Sequence, residues 1–395
     1  MSLPQTSNRA RAIGESVTLA IAQKARDLRS QGMDVVSLSA GEPDFGTVEP
    51  VAEAGIQAIR SGQTRYTAAA GIPELREAAA RWFRATYGLE FAASEVMVTA
   101  GAKPALHMAL MAVVNDADPV LMLAPYWVSY PDLIRVAGGN PVPVEAVPQQ
   151  DFIHTGEQVL EAAKQHGAKG LILNYPNNPS GAVPTRDQVQ GIVDACVEAN
   201  LWILSDEIYG QIIYDGHKHY SPASFEQARG RVMVVNGGTK SHSMTGWRVG
   251  FLAGPEPIIQ AATRLQSQVI GNTSSISQAA ALEVCQGDHH DEIQRRLAEF
   301  DERRQFMVEE LSSIPGLSLK PPKGAFYAMV DARRLCSLMH INDVELAERL
   351  LTDSQLAVVP GAAFDLPGFI RLSYATSMDQ LEKAIERLRD FAARG

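Results

Sequence analysis

From residue 95 onward the chain alternates short apolar runs with longer stretches of helical spacing. Runs at 96–98, 120–123, 142–145, 170–173, 201–205, 232–235 and 249–253 are almost uninterrupted by polar residues. A strand wetted on one face alternates polar with apolar; runs without alternation suit strands covered on both faces. Helical stretches lie between most of these runs, notably at 105–114 and 185–200. The pattern therefore predicts an α/β fold, a mainly parallel seven-stranded sheet covered by helices. Upstream, Leu19, Ala22, Ala25 and Leu28 give a helix over 18–29. A short strand at 35–38 runs into the turn cluster Ser39-Ala40-Gly41-Glu42-Pro43-Asp44-Phe45, and helices follow at 50–60 and 71–87. Downstream, a long charged helix at 288–311 precedes strands at 317–320, 325–330, 357–359 and 370–373, interleaved with helices at 344–351 and 378–393. Residues 1–12 show no pattern and read as a loose arm. The expected division is 46–285 as a large domain, 286–395 as a small C-terminal α/β domain, and 1–45 as an arm that also contributes to the small domain.

In such sheets, ligands bind beyond the carboxyl ends of the strands. Polar clusters fall there after Val98, Leu123, Leu173, Leu204 and Val235. The last is the most telling. Val232-Met233-Val234-Val235 delivers Asn236-Gly237-Gly238-Thr239-Lys240, and Arg248 follows within Gly246-Trp247-Arg248-Val249-Gly250. Most lysines are solvated surface charges; one carried to a strand end on an apolar, glycine-rich approach is a candidate nucleophile, because burial lowers its pKa. Gly-Thr-Lys-Ser is not a phosphate loop, which needs glycine directly before the lysine and another five residues earlier. Asp206 ends another buried strand, and an unpaired carboxylate there is costly, so it needs a cation: a structural arginine or a protonated pyridine nitrogen. Gly101 opens a helix whose first amides could cradle a phosphate, although glycine at such a turn is commonly only geometry. Asn174 to Gly181 is dense in amide side chains, for which turn chemistry is the plain alternative.

Composition narrows the classes. The chain has 395 residues, 46% hydrophobic and 20% charged, which suits a globular protein of two domains. Its net charge of −10 disfavours nucleic-acid and anionic-membrane partners. Three widely spaced cysteines, Cys196, Cys285 and Cys336, form no zinc or disulfide pattern, so no metal is expected and three buried thiols in a reducing compartment are. The polar N-terminus and the lack of a long apolar run lead to the expectation of a cytoplasmic enzyme.

Nearly the whole chain resembles the fold-type I, class I aminotransferases that depend on pyridoxal 5′-phosphate (PLP), and among them the bacterial aspartate aminotransferases. The matching segments are Ser39 to Phe45, Tyr66 with Gly71 to Arg76, Pro125 to Pro131, Asn177 to Gly181 and Ser205 to Tyr209. They continue with Lys240 to Gly250, Gly324 to Tyr327, Val358 to Gly361 and Arg371 to Ala375, in the family's order and spacing. The resemblance implies that Lys240 forms the Schiff base and shuttles the substrate α-proton, with Asp206 and Tyr209 as its catalytic partners. Asp206 pairs with the pyridinium nitrogen; Asn178 and Tyr209 bond the ring 3-oxygen; Trp127 stacks on the ring. Arg248 and the amides of Gly101, Ala102 and Lys103 hold the phosphate, joined by Tyr66 from the neighbouring subunit of a homodimer with shared sites. Arg371 clamps the α-carboxylate of the amino-acid or 2-oxo-acid substrate, assisted by Asn178 and the Gly41 backbone, as a guanidinium fork suits. Arg248 and Arg371 together are expected to help depress the Lys240 pKa.

The pattern departs from many relatives at Gly237, where a serine commonly contributes to phosphate binding. His242 has no assigned role, and a surface or supporting histidine is the preferred reading. In aspartate-specific bacterial relatives a lysine and Ser/Thr hydroxyls receive the distal carboxylate, and Lys103, Ser16 and Thr18 fall at those positions. Gly14-Glu15 lacks the basic residue that accompanies prephenate use. The implied activity is transamination between aspartate and 2-oxoglutarate by a ping-pong cycle. A C–S lyase or a broad-range or aromatic aminotransferase is the alternative on the same fold. A PLP sensor fused to a DNA-binding module is disfavoured by the acidic charge, and a dead relative by the presence of Lys240, Asp206, Tyr209, Arg248 and Arg371.

Overall fold

Each of the seven apolar runs is a strand. The structure, a computed structural model, describes residues 5–14 and 17–394. After β1 (Val36–Ser37), the runs become β2 (Val96–Thr99), β3 (Pro119–Leu123), β4 (Asn140–Val144), β5 (Gly170–Asn174), β6 (Trp202–Asp206), β7 (Val232–Asn236) and β8 (Gly250–Ala253). They form one sheet in the order β2-β8-β7-β6-β5-β3-β4. Pairing is parallel from β7 through β6, β5 and β3 to β4; β8 alone runs antiparallel to its neighbours β7 and β2. Val232 to Val235 are essentially inaccessible to solvent. Burying each such side chain stabilises by about 1.5–3 kcal/mol, so β7 cannot slip and the position of its carboxyl end is set.

Five further strands follow: β9 (Ser318–Leu319), β10 (Tyr327–Asp331), β11 (Leu356–Ala357), β12 (Val359–Pro360) and β13 (Phe369–Ser373). Four of them form an antiparallel sheet in the order β12-β13-β10-β9, with its own apolar core. β11 instead pairs in parallel with β1, Val36 opposite Leu356 and Ser37 opposite Ala357, tying the N-terminal segment to the C-terminal part of the chain. The 24-residue helix His290–Ser313 braces this junction. Its buried Arg303 pairs with Asp44 at 2.7 Å and lies over the Phe45 ring at 5.2 Å, so the segment from Ser39 to Phe45 is held in place.

The first residues are not patternless, since Asn8–Arg11 is a short helix. Helices not anticipated are Tyr130–Val136, Gly156–His166, Glu256–Val269, Ser275–Gln286 and Arg333–Met339. Two of these carry buried glutamines with a structural task. Gln266 Nε2 donates to the carbonyls of Ala69 and Val98, and Gln278 accepts from the Ile72 amide while donating to Thr67. Together they clamp the loop that carries Tyr66. Cys196 and Cys336 are buried and Cys285 is partly so, none in a disulfide. Among the described residues no helix is long and apolar enough to cross a membrane.

Candidate active site

The carboxyl ends of β5, β6 and β7, the start of helix Ala102–Val113, and β13 face one cavity of about 410 Å³. Lys240 reaches it from the turn after β7. That turn has Gly237 at φ +150°, where a Cβ would lie 3.3 Å from the Gly250 Cα. With glycine there the turn takes a φ that side chains rarely adopt, and it offers no hydroxyl to a phosphate. Thr239 Oγ1 donates to the Val249 carbonyl at 3.1 Å and secures the turn, and the Lys240 amine donates to the Gly41 carbonyl. Burial pushes the Lys240 pKa down to about 8; Glu42 and Asp206 oppose the shift, while Arg248 and Arg371 add to it. The two arginines contribute as expected, but desolvation of the amine is the larger cause.

Asp206 is buried at the end of β6. Its carboxylate accepts from the Tyr130 hydroxyl at 2.8 Å and from the Ile208 amide at 3.4 Å. Burial raises its pKa to about 6 against the pull of these bonds. Among the described residues no arginine or lysine forms an ion pair with it, which removes the structural-arginine reading and leaves a carboxylate short of a cation. Asn174 Nδ2 donates to the Asp206 backbone carbonyl at 2.9 Å, and its Oδ1 accepts from the Asn178 amide at 3.0 Å. In the loop beyond, the two readings of the asparagine cluster separate by residue. Asn177 makes the turn, its Oδ1 accepting from Ser180. Asn178 turns to the cavity and accepts from Arg371.

Arg371 projects from β13 and is buried, donating from Nη1 to Asn178 Oδ1 at 2.9 Å and from Nη2 to the Ser39 carbonyl at 2.8 Å. Its Nε has no partner. The guanidinium lies over the rings of Tyr327 (4.5 Å) and Phe364 (5.0 Å), and no carboxylate of the described residues pairs with it. A buried guanidinium without an anion is costly unless it awaits one. Gly41, whose backbone is expected to assist Arg371, lines the same cavity, and its carbonyl accepts from Lys240.

At the other end of the cavity, Gly101 caps its helix at φ +105°, and a Cβ on it would lie 2.7 Å from Arg248 Nη2. Only glycine lets the guanidinium come this close to the first amides of the helix, those of Ala102 and Lys103. Trp127 lines the cavity, with the Lys103 ammonium 4.8 Å from its ring centroid. Burial and the Arg248 charge lower the Lys103 pKa. Thr18, Leu19, Ala22 and Arg26 of helix Val17–Ser30 complete the wall. Tyr209 is buried, its hydroxyl 2.7 Å from that of Tyr327. Of the expected residues described, Tyr66, 97% exposed on its loop, and Gly101, which packs against Arg248, are not in the cavity wall; Ser16 lies outside the described residues. Tyr130, Asn174 and Tyr327 were not singled out from sequence. The first and last lie within recognised motifs, but what they touch is visible only in three dimensions.

His242 is neither at the surface nor in the cavity. It is buried, its Nδ1 2.9 Å from Ser241 Oγ and its ring edge-on to His289 at 5.4 Å. Burial pushes its pKa down to about 3, with the charges of His289 and Arg296 adding to the shift. The unfolded chain binds this proton near pH 6.5 and the folded protein does not. Stability from this group is complete above that pH and is lost as pH falls, by about 1.4 kcal/mol per unit between the two values. Urea unfolding between pH 7 and 4.5 should therefore show a shallower loss in His242→Gln than in wild type; equal slopes contradict this.

The family model "Aminotransferase class I and II" matches residues 33–388. The chain belongs to this aminotransferase family. The aspartate aminotransferase of Bacillus sp. (strain YM-2) is 40% identical over 387 residues, 98% of each chain. The probable aspartate/prephenate aminotransferase of Aquifex aeolicus (strain VF5) is 42% identical over 376 residues, 95% of each. The structure of the Thermus thermophilus aspartate aminotransferase with maleate superposes with a TM-score of 0.93 at 40% identity, covering 98% of this chain and 100% of that one. Aspartate aminotransferases depend on PLP, and an aminotransferase site needs an amine, a ring-nitrogen acid and an anion clamp. Lys240, Asp206 and Arg371 are of those types and share one cavity.

Proposed function

We propose that the protein is a PLP-dependent aspartate aminotransferase that exchanges the amino group of L-aspartate with 2-oxoglutarate in a ping-pong cycle. The observation that carries this reading is Arg371, a buried guanidinium without an anion in the same cavity as Lys240 and Asp206. Three features suit the cofactor. Asp206 lacks a cation that a protonated ring nitrogen supplies; Gly101 lets the Arg248 guanidinium lie against the start of the helix, where a phosphate would be held; and the Lys240 pKa is depressed to about 8.

Bound there, PLP supplies an electron sink for the pair left on the substrate Cα. Lys240 removes and returns the α-proton, which requires its amine uncharged; its lowered pKa makes that form accessible near neutral pH. Asp206, supported by Tyr130, holds a proton on the ring nitrogen. Arg371 grips the α-carboxylate and so fixes which bond at Cα faces the sink, a positioning effect. Trp127 covers one face of the cavity and keeps water away. Arg248 with the amides of Gly101, Ala102 and Lys103 carries the phosphate charge, and Asn178 and Tyr209 bond the ring oxygen.

Lys103, with Thr18 and Ser16, receives the distal carboxylate. Lys103→Ser should raise the KM for aspartate about tenfold or more, the worth of a charge-assisted hydrogen bond, and leave that for an apolar amino acid nearly unchanged. Equal effects on both remove the acidic-substrate reading. Two copies form a homodimer in which Tyr66, exposed here and held by its glutamine clamp, reaches the site of the second copy. The division at 1–45, 46–285 and 286–395 and a cytoplasmic location belong to the same reading. The experiment that tests it is a half-reaction panel over the proteinogenic amino acids, following loss of the visible cofactor absorbance. Aspartate and glutamate should react fastest; a preference for aromatic or sulfur amino acids, or steady pyruvate release, selects the broad-range or lyase alternative instead.

A further inference from the structure

Arg248 presents its guanidinium from a backbone that arginine rarely adopts. Its φ and ψ are +54° and +55°, the left-handed region, where a Cβ crowds the following carbonyl and glycine is the usual occupant. Glycines stand two residues before and after it, at Gly246 and Gly250, yet the strained position itself keeps a side chain. Strain of this kind persists only where the surroundings over-determine it. Both sides of Arg248 are held. After it, the Val249 carbonyl accepts from Thr239, and β8 begins at Gly250. Before it, Trp247 is pinned at three points. Its indole N–H donates to Thr47 Oγ1 at 2.9 Å, and its carbonyl accepts from Ser277 Oγ at 2.6 Å. Its ring fills a slot over Gly55 of helix Glu49–Arg60, where a Cβ would stand 2.4 Å from the indole.

Thr47 performs two tasks with one hydroxyl. While accepting from Trp247 it donates to the Ser243 carbonyl at 2.8 Å, and Ser243 is itself left-handed at φ +55°. One side chain therefore ties both strained positions of the turn. With its backbone so held, Arg248 donates from Nη1 to the Thr245 carbonyl at 2.9 Å and brings Nη2 against Gly101. In the right-handed conformation that an unrestrained arginine prefers, the same side chain leaves the backbone in a different direction. Arg248 lines the cavity, whereas Thr47, Gly55, Trp247 and Ser277 do not, so what they do to a ligand passes through Arg248. We propose that Trp247, locked by Thr47, is a positioning residue that holds Arg248 left-handed and so keeps its guanidinium on the phosphate of the cofactor. This rests on the PLP reading above.

The test compares two ligands that differ only in the phosphate. Full-length protein freed of cofactor is titrated with PLP and, separately, with pyridoxal, and binding is followed by the visible absorbance. Trp247→Phe keeps an aromatic ring in the slot and removes the indole N–H. Thr47→Val keeps the shape of the threonine and removes the acceptor. Each should raise the Kd for PLP about tenfold, the lower end of what a hydrogen bond to a charged group is worth, and leave that for pyridoxal nearly unchanged. General loosening of the fold would weaken both ligands alike. In an Arg248→Gln background, where the guanidinium is gone, Trp247→Phe should weaken PLP no further, the signature of action through Arg248. Either substitution decides if the other does not fold. Equal losses for the two ligands, an unchanged PLP affinity, or an undiminished effect of Trp247→Phe in the Arg248→Gln background overturns the positioning role alone. Wild-type protein that takes up neither ligand overturns the cofactor reading, and the positioning role with it.

Discussion

Lys240→Ala protein will transaminate at least about 10⁴-fold more slowly than wild type, the loss expected when the nucleophile and the proton carrier are the same group. It will also lack the visible absorbance of lysine-bound PLP. Both effects follow from how the amine is delivered. β7 is buried along its length, so the turn at Gly237 starts from a fixed point, and Thr239 ties that turn to Val249. The amine then sits at the floor of a half-open cavity, where desolvation brings its pKa to about 8. Methylamine supplied in solution should restore part of the proton transfer. A yellow, active Lys240→Ala protein refutes the assignment.

Arg371→Lys will lower kcat/KM for aspartate by about 10³-fold although the charge is kept, because a buried charged pair and its fork geometry are worth about 4 kcal/mol. Lysine has one point charge where arginine presents Nε and two terminal nitrogens. In this site the terminal nitrogens already serve Asn178 and the Ser39 carbonyl, and Nε has no partner. The lysine cannot hold the Asn178 loop and the substrate together. The loss should extend to apolar amino acids, since the α-carboxylate is common to all of them. A variant that loses only acidic substrates would instead place Arg371 at the distal carboxylate and exchange its role with that of Lys103.

Six of the seven strands of the large sheet were legible because strands covered on both faces leave uninterrupted apolar runs; β4, at the sheet edge, buries only Val142. The unanticipated helices have thin buried faces. Gly156–His166 buries only Val159 and Ala163, and Glu256–Val269 buries Ile259, Ala262 and Gln266. Ser275–Gln286 buries small residues and Gln278 rather than a stripe of large ones. A glutamine that satisfies backbone amides across the fold has no periodic signature. In the site, Lys240 and Asp206 stood out as charges at the ends of apolar strands. Arg371 did so through the resemblance of its motif, because nothing in its own strand marks it. Tyr130 and Tyr327 were hidden because their importance lies in one hydroxyl contact each. Of the two readings of His242, the surface one fails, since the ring is buried against Ser241 and His289.

Conversion of an acidic amino acid to its oxo acid through the amine of Lys240 can be followed by mixing PLP-loaded protein with L-aspartate in the absence of any oxo acid and quantifying the products. The expected result is loss of the visible absorbance with stoichiometric oxaloacetate, then full recovery of the absorbance on adding 2-oxoglutarate. Absorbance that persists while pyruvate or ammonia accumulates beyond the enzyme concentration, or that does not respond to aspartate, contradicts it.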